Sequence, residues 1–191
     1  MADIQIIGYH TCKTDGGWSY IESEAPFLSG AGQNQWLTQG YYFWTDSDHF
    51  AHKWGEDSYK NDYAIIECTI VMDEDLLFDL VGSTKAQIYF ERLLTKFKTK
   101  LKKINPAKEA TVHGVIKYWR KQAEKNKDVF PFAAIKVQDV FGHPTLTFTG
   151  AREKMHITIQ RQQLCLFESG LHLLQEKKII FPEEFKARGR Q

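Results

Sequence analysis

The sequence predicts an α+β fold, and three observations carry that reading. Apolar segments with strand character gather towards the two ends of the chain, and the long helical periodicities lie between them. At 191 residues, with 42% hydrophobic and 26% charged residues, the chain has the size and composition of one ordinary globular domain. No internal repeat or low-complexity block divides it, so residues 1–191 read as a single domain with a basic helical insertion at about 84–127.

The elements follow in order. Ile4-Gln5-Ile6-Ile7-Gly8-Tyr9-His10 reads as an opening strand that ends near His10. Residues 11–36 are rich in Gly, Ser, Asn and Gln and read as a long, mostly irregular segment, the kind that often carries function. Gly40–Trp44 is a short aromatic strand. Asp46 or Ser47 is a good N-cap for a helix over Asp48–Trp54. Tyr63–Val71 is a largely apolar strand, and Leu76–Leu80 a shorter extended piece. Ser83 or Thr84 caps a helix to about Lys103, in which Ile88, Phe90, Leu93, Leu94, Phe97 and Leu101 recur at helical spacing. Pro106 breaks it, and Thr111–Lys125 is a second helix with Val112, Val115, Ile116 and Trp119 on one face. Phe132–Val140 and Lys154–Gln160 are strands, Leu164–Phe167 is a short strand or extended turn, and the tail from Pro182 through "ARGRQ" reads as frayed.

Several function classes are excluded by what is missing. No apolar run approaches a membrane span, and no basic segment precedes an apolar one at the start, so neither a membrane partner nor a signal peptide is expected. Cys12, Cys68 and Cys165 are far apart and odd in number, which argues against a disulfide framework and makes the cytoplasm the simplest compartment. There is no phosphate-loop, dinucleotide-fingerprint, zincin or nucleophile-elbow motif. His49 and His52 stand three apart without an evident third ligand, so no metal is expected.

What remains is the pairing of Tyr9-His10-Thr11 with Gly40-Tyr41-Tyr42-Phe43-Trp44, thirty residues after the histidine. Alone, Tyr42 would read as a core tyrosine and His10 as a satisfied strand-end histidine. In this order and spacing the chain resembles the ADP-ribosyltransferase superfamily, in its histidine–tyrosine branch, which includes the poly-ADP-ribose polymerases. Ala51, nine residues after Tyr42, Trp44 and Trp54, and the late segments "FPFAAIKVQDVFG" and "HITIQRQQLCLF" strengthen the likeness to bacterial domains of that fold.

The resemblance implies split antiparallel β-sheets with a central helical insertion, and NAD as the substrate of a mono-ADP-ribosyltransferase. It implies that His10 hydrogen-bonds the adenosine-side ribose and that Tyr42 stacks on the nicotinamide. Gly40 is read as clearance for close approach to the ligand, and Trp54 as the opposite wall. Thr11 stands where the family more often has Gly after the histidine, beside the expected nicotinamide amide. The third catalytic position, usually Glu and sometimes Gln or Asp at the start of a late strand, is open among three candidates. Thr158 fits by alignment on His156-Ile157-Thr158-Ile159, Gln160 by strand face, and Glu153 by charge. The acceptor would be a macromolecule. Domains like this in bacteria and their phages are often toxins or defence effectors, which would imply an inhibitory partner protein. A catalytically inactive module of the same fold, binding nucleic acid or a partner protein, is the other reading.

The net charge of +1 hides a strong asymmetry. Residues 1–95 carry a net of −10, residues 96–127 a net of +9, and residues 128–191 a net of +2. The basic segment includes Lys98, Lys100, Lys102, Lys103, Lys117, Arg120 and Lys121, interleaved with Phe97, Tyr118 and Trp119. It is either a solvated helical face or a surface for RNA or DNA, which is why nucleic acid is favoured over protein as the acceptor.

Overall fold

The computed structural model describes residues 3–32, 34–139, 145–149, 154–158 and 160–189, with the backbone alone in 145–149 and 154–158. It is mixed α and β, consistent with the α+β order. The strands are β1 (Asp3–Lys13), β2 (Tyr41–Thr45), β3 (Tyr63–Asp73), β4 (Leu77–Asp79), β5 (Ala134–Asp139), β6 (Thr145–Thr149), β7 (Lys154–Thr158), β8 (Arg161–Leu166) and β9 (Leu174–Phe181). The helices are α1 (Gly17–Glu24), α2 (His49–Tyr59), α3 (Thr84–Ile104), α4 (Val112–Ala123) and α5 (Glu183–Arg188).

Seven strands form one mostly antiparallel sheet in the order β4-β5-β8-β2-β1-β3-β9, and β6 pairs with β7 in a separate two-stranded sheet. The seven-stranded sheet is nearly two. β1 and β3 share a ladder that runs from Asp3↔Asp73 to Lys13↔Tyr63, and β2 and β8 pair from Tyr41↔Leu166 to Trp44↔Gln163. Between these halves β1 and β2 meet only at Gly8↔Thr45 and Tyr9↔Trp44. Beyond Tyr9 they part.

Alternation along the strands builds a core on each face. One face buries Cys12, Phe43, Ile66, Ile70, Leu164 and Leu166 against Ile21 of α1 and Phe185 of α5. On the other, Phe78, Ile135 and Cys165 pack against Leu93 of α3 and Ile116 of α4. Trp44, Tyr63 and Ile65 pack against Phe50 and Ala51 of α2. Each fully buried side chain of this size stabilises the fold by roughly 1.5–3 kcal/mol. Helix α2 lies close because Gly55 faces the Tyr63 ring, where a Cβ would come within 2.3 Å of ring carbons.

Several boundaries differ from the sequence reading. The segment after His10 is more ordered than its composition suggests: β1 continues to Lys13 and α1 follows. The tail is not frayed through its length, because β9 pairs with β3 and α5 follows it. Its polar run Gln175-Glu176-Lys177-Lys178 hides an edge strand that pairing with β3 creates. Of the two readings of Leu164–Phe167, the strand holds through Leu166, which ends the central β8, while the strand expected over 154–160 covers Lys154–Thr158 and lies in the small sheet. Ser83 does cap α3, accepting from the Ala86 N–H at 3.2 Å. The apolar stripe of α3 buries only Leu93 and leaves Ile88 47% exposed.

Candidate functional site

Where β1 and β2 part, a cleft of about 640 Å³ opens. Its walls come from β1, β2, α2, the segment 27–36 and the ends of β5 and β8. Register sets which side chains face it. Trp44 pairs with Gln163, and Arg161 with Asp139, so these four share the sheet face that also carries Tyr42 and Thr11. His10, Thr11, Tyr42 and Trp54, expected from separate stretches of sequence, all line this one cleft.

Their chemistry is specific. Tyr42 is anchored at its hydroxyl, which donates to the Thr38 carbonyl at 2.8 Å and accepts from the Leu37 N–H at 3.1 Å. Burial, the largest cause, raises its pKa, so it is a neutral phenol. Thr38 sits at φ 76°, a left-handed conformation that a threonine rarely adopts. Trp54 is 43% exposed, and its ring centroid lies 6.4 Å from that of Trp44, tilted by 50°. Trp36 donates from its indole Nε1 to Gln163 Oε1 at 3.0 Å. The Arg161 guanidinium stands 5.4 Å from the centre of the Trp44 ring, with Nη1 3.7 Å from Asp139 Oδ2. Cys12 also lines the cleft, but it is buried, and burial pushes its thiol up to about 12, which disfavours the nucleophilic thiolate.

His10 differs from its expected role. It lies on the opposite face from Tyr42, among Phe27 and Phe43, and both ring nitrogens have backbone partners. Nδ1 is 2.9 Å from the Tyr42 carbonyl and Nε2 accepts from the Phe27 N–H at 3.1 Å, which fixes the proton on Nδ1. Burial lowers its pKa to about 4, so the ring is neutral. Its hydrogen bonds hold the sheet's parting edges and the 27–36 wall together, leaving neither nitrogen for a ribose. Thr11 likewise directs its hydroxyl to the Ala51 carbonyl of α2 at 3.0 Å.

Gly40 requires a correction. It does not line the cleft. A Cβ there would lie 2.6 Å from Cys165 Sγ and 2.7 Å from the Leu166 carbonyl oxygen, so the glycine admits strand β8 rather than a ligand. Of the third-position candidates, only Gln160 has a described side chain. Gln160 is exposed on the link into β8, its Oε1 accepting from Gln162 at 3.1 Å, and does not line the cleft. Thr158 ends β7, paired with Thr145 in the small sheet, and Glu153 lies outside the described residues. The strand beside β2 is β8, and the side chain it offers the cleft next to Trp44 is Gln163. His156 and Ile157, on which the alignment rests, lie on β7 in the small sheet and not on β8. The missed signal is the "RQQLCLF" run, whose alternation puts Arg161, Gln163 and Cys165 on one face. Asp139 is the one carboxylate lining the cleft among the described residues.

The basic residues divide. Lys98, Lys100, Lys102 and Lys103 are exposed on α3, and Lys100 Nζ donates to the Tyr118 hydroxyl at 3.0 Å. Lys117 and Lys121 are exposed on α4. Arg120 is not a free cation: Nη1 donates to Thr38 Oγ1 at 2.6 Å and to the Gln39 carbonyl at 2.9 Å, while Nη2 pairs with Glu168. Its guanidinium lies 4.1 Å from the centre of the Phe167 ring. No helix among the described residues is long and apolar enough to cross a membrane. Comparison with protein-family models, with curated proteins and with solved structures finds no match.

Proposed function

We propose that this protein is a mono-ADP-ribosyltransferase of the histidine–tyrosine type, which uses NAD to modify a macromolecule. One observation carries the reading: His10, Thr11, Tyr42 and Trp54 line a single aromatic cleft at the place where an antiparallel sheet divides. The division itself supports an ADP-ribosyltransferase-like arrangement of split sheets.

The residues suit NAD. Tyr42 and Trp54 offer ring faces for the nicotinamide, with Trp44 buried behind them, and Lys13 and Arg161 supply positive charge for the pyrophosphate. When bound, NAD provides a ribosyl carbon whose glycosidic bond breaks with its electron pair leaving on nicotinamide. The acceptor's nucleophilic atom forms the new bond to that carbon and releases a proton to water. Tyr42, fixed at its hydroxyl, holds a rigid stacking face. Gln163 takes the third position, where its amide orients a ribose hydroxyl. Asp139 stands on the neighbouring strand to offset developing positive charge. His10 acts here as a positioning residue.

A second reading is favoured by a separate observation. Asp139 pairs with Arg161, and Gln163 carries no charge, so the cleft has weak means of stabilising an oxocarbenium-like ribose. A module that binds NAD, nucleic acid or a partner protein without turnover fits that feature. The experiment is incubation with adenylate-labelled NAD and candidate protein, RNA and DNA. Label transfer and nicotinamide release that Tyr42→Ala abolishes support the transferase. Their absence with every acceptor, alongside retained NAD binding, selects the inactive module.

A further inference from the structure

A second cleft, of about 920 Å³, lies between α4, the 3-10 turn Lys127–Val129 and residues 167–169. We infer that it is the docking site for a single-stranded nucleic acid, the acceptor of the reaction proposed above and resting on that reading. Lys117, Lys121 and Lys127 line it, all exposed and without an ion pair or hydrogen bond to a described side chain. Lys117 and Lys121 stand one helical turn apart, about 6 Å along the axis, so both point to the same side of α4.

The carboxylates at this cleft do not cancel that field. Glu168 is already neutralised by Arg120, which leaves Glu124 against the three lysines. The floor is apolar: Pro131, and Phe132 stacked on Phe78 at 4.3 Å. Cations over an aromatic floor are the arrangement that holds phosphates while a base lies on a ring. A recess of this kind admits a single strand. A duplex would meet the lysines only at its surface, with its bases stacked away from the floor. Lys98, Lys102 and Lys103 are exposed on α3, which packs against α4, and add to the positive charge of this part of the molecule.

The two clefts share a wall, which places such an acceptor beside the aromatic cleft. Segment 27–36 lines the first cleft, and Thr38 and Gln39 line the second. From α4, Arg120 holds Thr38 and Gln39, while His113 Nδ1 lies 2.8 Å from the Gln35 carbonyl. Thr38 in turn accepts the Tyr42 hydroxyl bond.

The test is fluorescence anisotropy with a labelled 20-nucleotide single strand. The expected result is binding with a log-log salt slope of about −2, as three phosphate contacts give on a single strand. The triple variant K117E/K121E/K127E raises Kd at least tenfold, while the charge-matched K53E/K60E/K85E leaves it within about twofold. Circular dichroism and NAD titration on the same variants report fold and the first cleft. Equal loss in both triple variants overturns the site. So does equal competition by a duplex or by polyglutamate, the latter marking an acidic protein as the partner. No binding of the wild type at low salt overturns it as well. Oligonucleotide binding that meets these criteria, with no label transfer to any protein, RNA or DNA acceptor, removes the transferase reading and leaves the binding site standing.

Discussion

His10 joins the two halves of the sheet: its imidazole Nδ1 lies 2.9 Å from the main-chain carbonyl of Tyr42, across the gap where β1 and β2 stop pairing. The bond stands where a ladder hydrogen bond would otherwise be, and the Phe27 N–H on Nε2 ties in the cleft wall.

This arrangement predicts a pH dependence. The folded-state pKa of His10 is lowered to about 4 from an ordinary 6.5, so between those values the unfolded chain binds more protons. The stability it contributes is present above pH 6.5 and is lost as pH falls towards 4, by as much as about 3 kcal/mol. Urea unfolding at pH 7, 5.5 and 4.5 measures the slope. His10→Ala costs roughly 2–4 kcal/mol at pH 7 by stranding two backbone groups, and it flattens the acid slope. An unchanged slope would contradict the assignment.

Gly40→Ala tests the close approach of β8. The added Cβ meets the Leu166 carbonyl and Cys165 Sγ, so strands must separate. The expected cost is about 1–3 kcal/mol, read as a lower urea midpoint. A glycine serving ligand clearance would instead leave stability intact and weaken NAD binding alone.

Two tryptophans separate stability from binding. Trp44 is 5% exposed, and Trp44→Ala costs roughly 3–5 kcal/mol in unfolding free energy. Trp54→Ala changes stability by less than about 0.5 kcal/mol because the ring is 43% exposed. The same variant weakens NAD binding by about twofold to tenfold through lost stacking. Intrinsic fluorescence titration with NAD gives both affinities.

Gln163→Ala is expected to lower the rate of nicotinamide release by roughly tenfold or more with a small change in NAD affinity. Gln163→Glu puts a carboxylate next to Trp44 and is expected to raise the rate above wild type. Equal rates in all three proteins would take Gln163 out of the site.

Arg120→Met removes the clasp on Thr38, Gln39 and Glu168. The cost is about 1–3 kcal/mol, and Tyr42 loses its fixed anchor, so the variant also weakens NAD binding. Arg120→Lys recovers little, because an ammonium cannot span the same three partners.

Much of the framework was legible from local pattern. The aromatic strand over Gly40–Trp44, the capped α3 and the apolar β3 carry their own periodicity and punctuation. Elements made by pairing did not announce themselves: β9 is a polar edge that exists because β3 is beside it. The cleft residues on β1, β2 and α2 followed from motif spacing. Gln163 did not, because the choice between β7 and β8 depends on which strand lies next to β2, and no local preference encodes that. The role of His10 depended on whether a backbone N–H from residue 27 reaches its second nitrogen, which only the folded chain decides.

The two-pair seam between β1 and β2 has a mechanical consequence. Each half of the sheet is a plate held by long ladders, and the plates are riveted at Gly8↔Thr45, Tyr9↔Trp44 and one imidazole. Breathing of the molecule therefore concentrates at that line, and amides there exchange before either plate loosens. A ligand touching Thr11 on one plate and Tyr42 on the other works as a staple across the line. Its occupancy is then legible as slowed exchange at the seam, without any reaction having occurred.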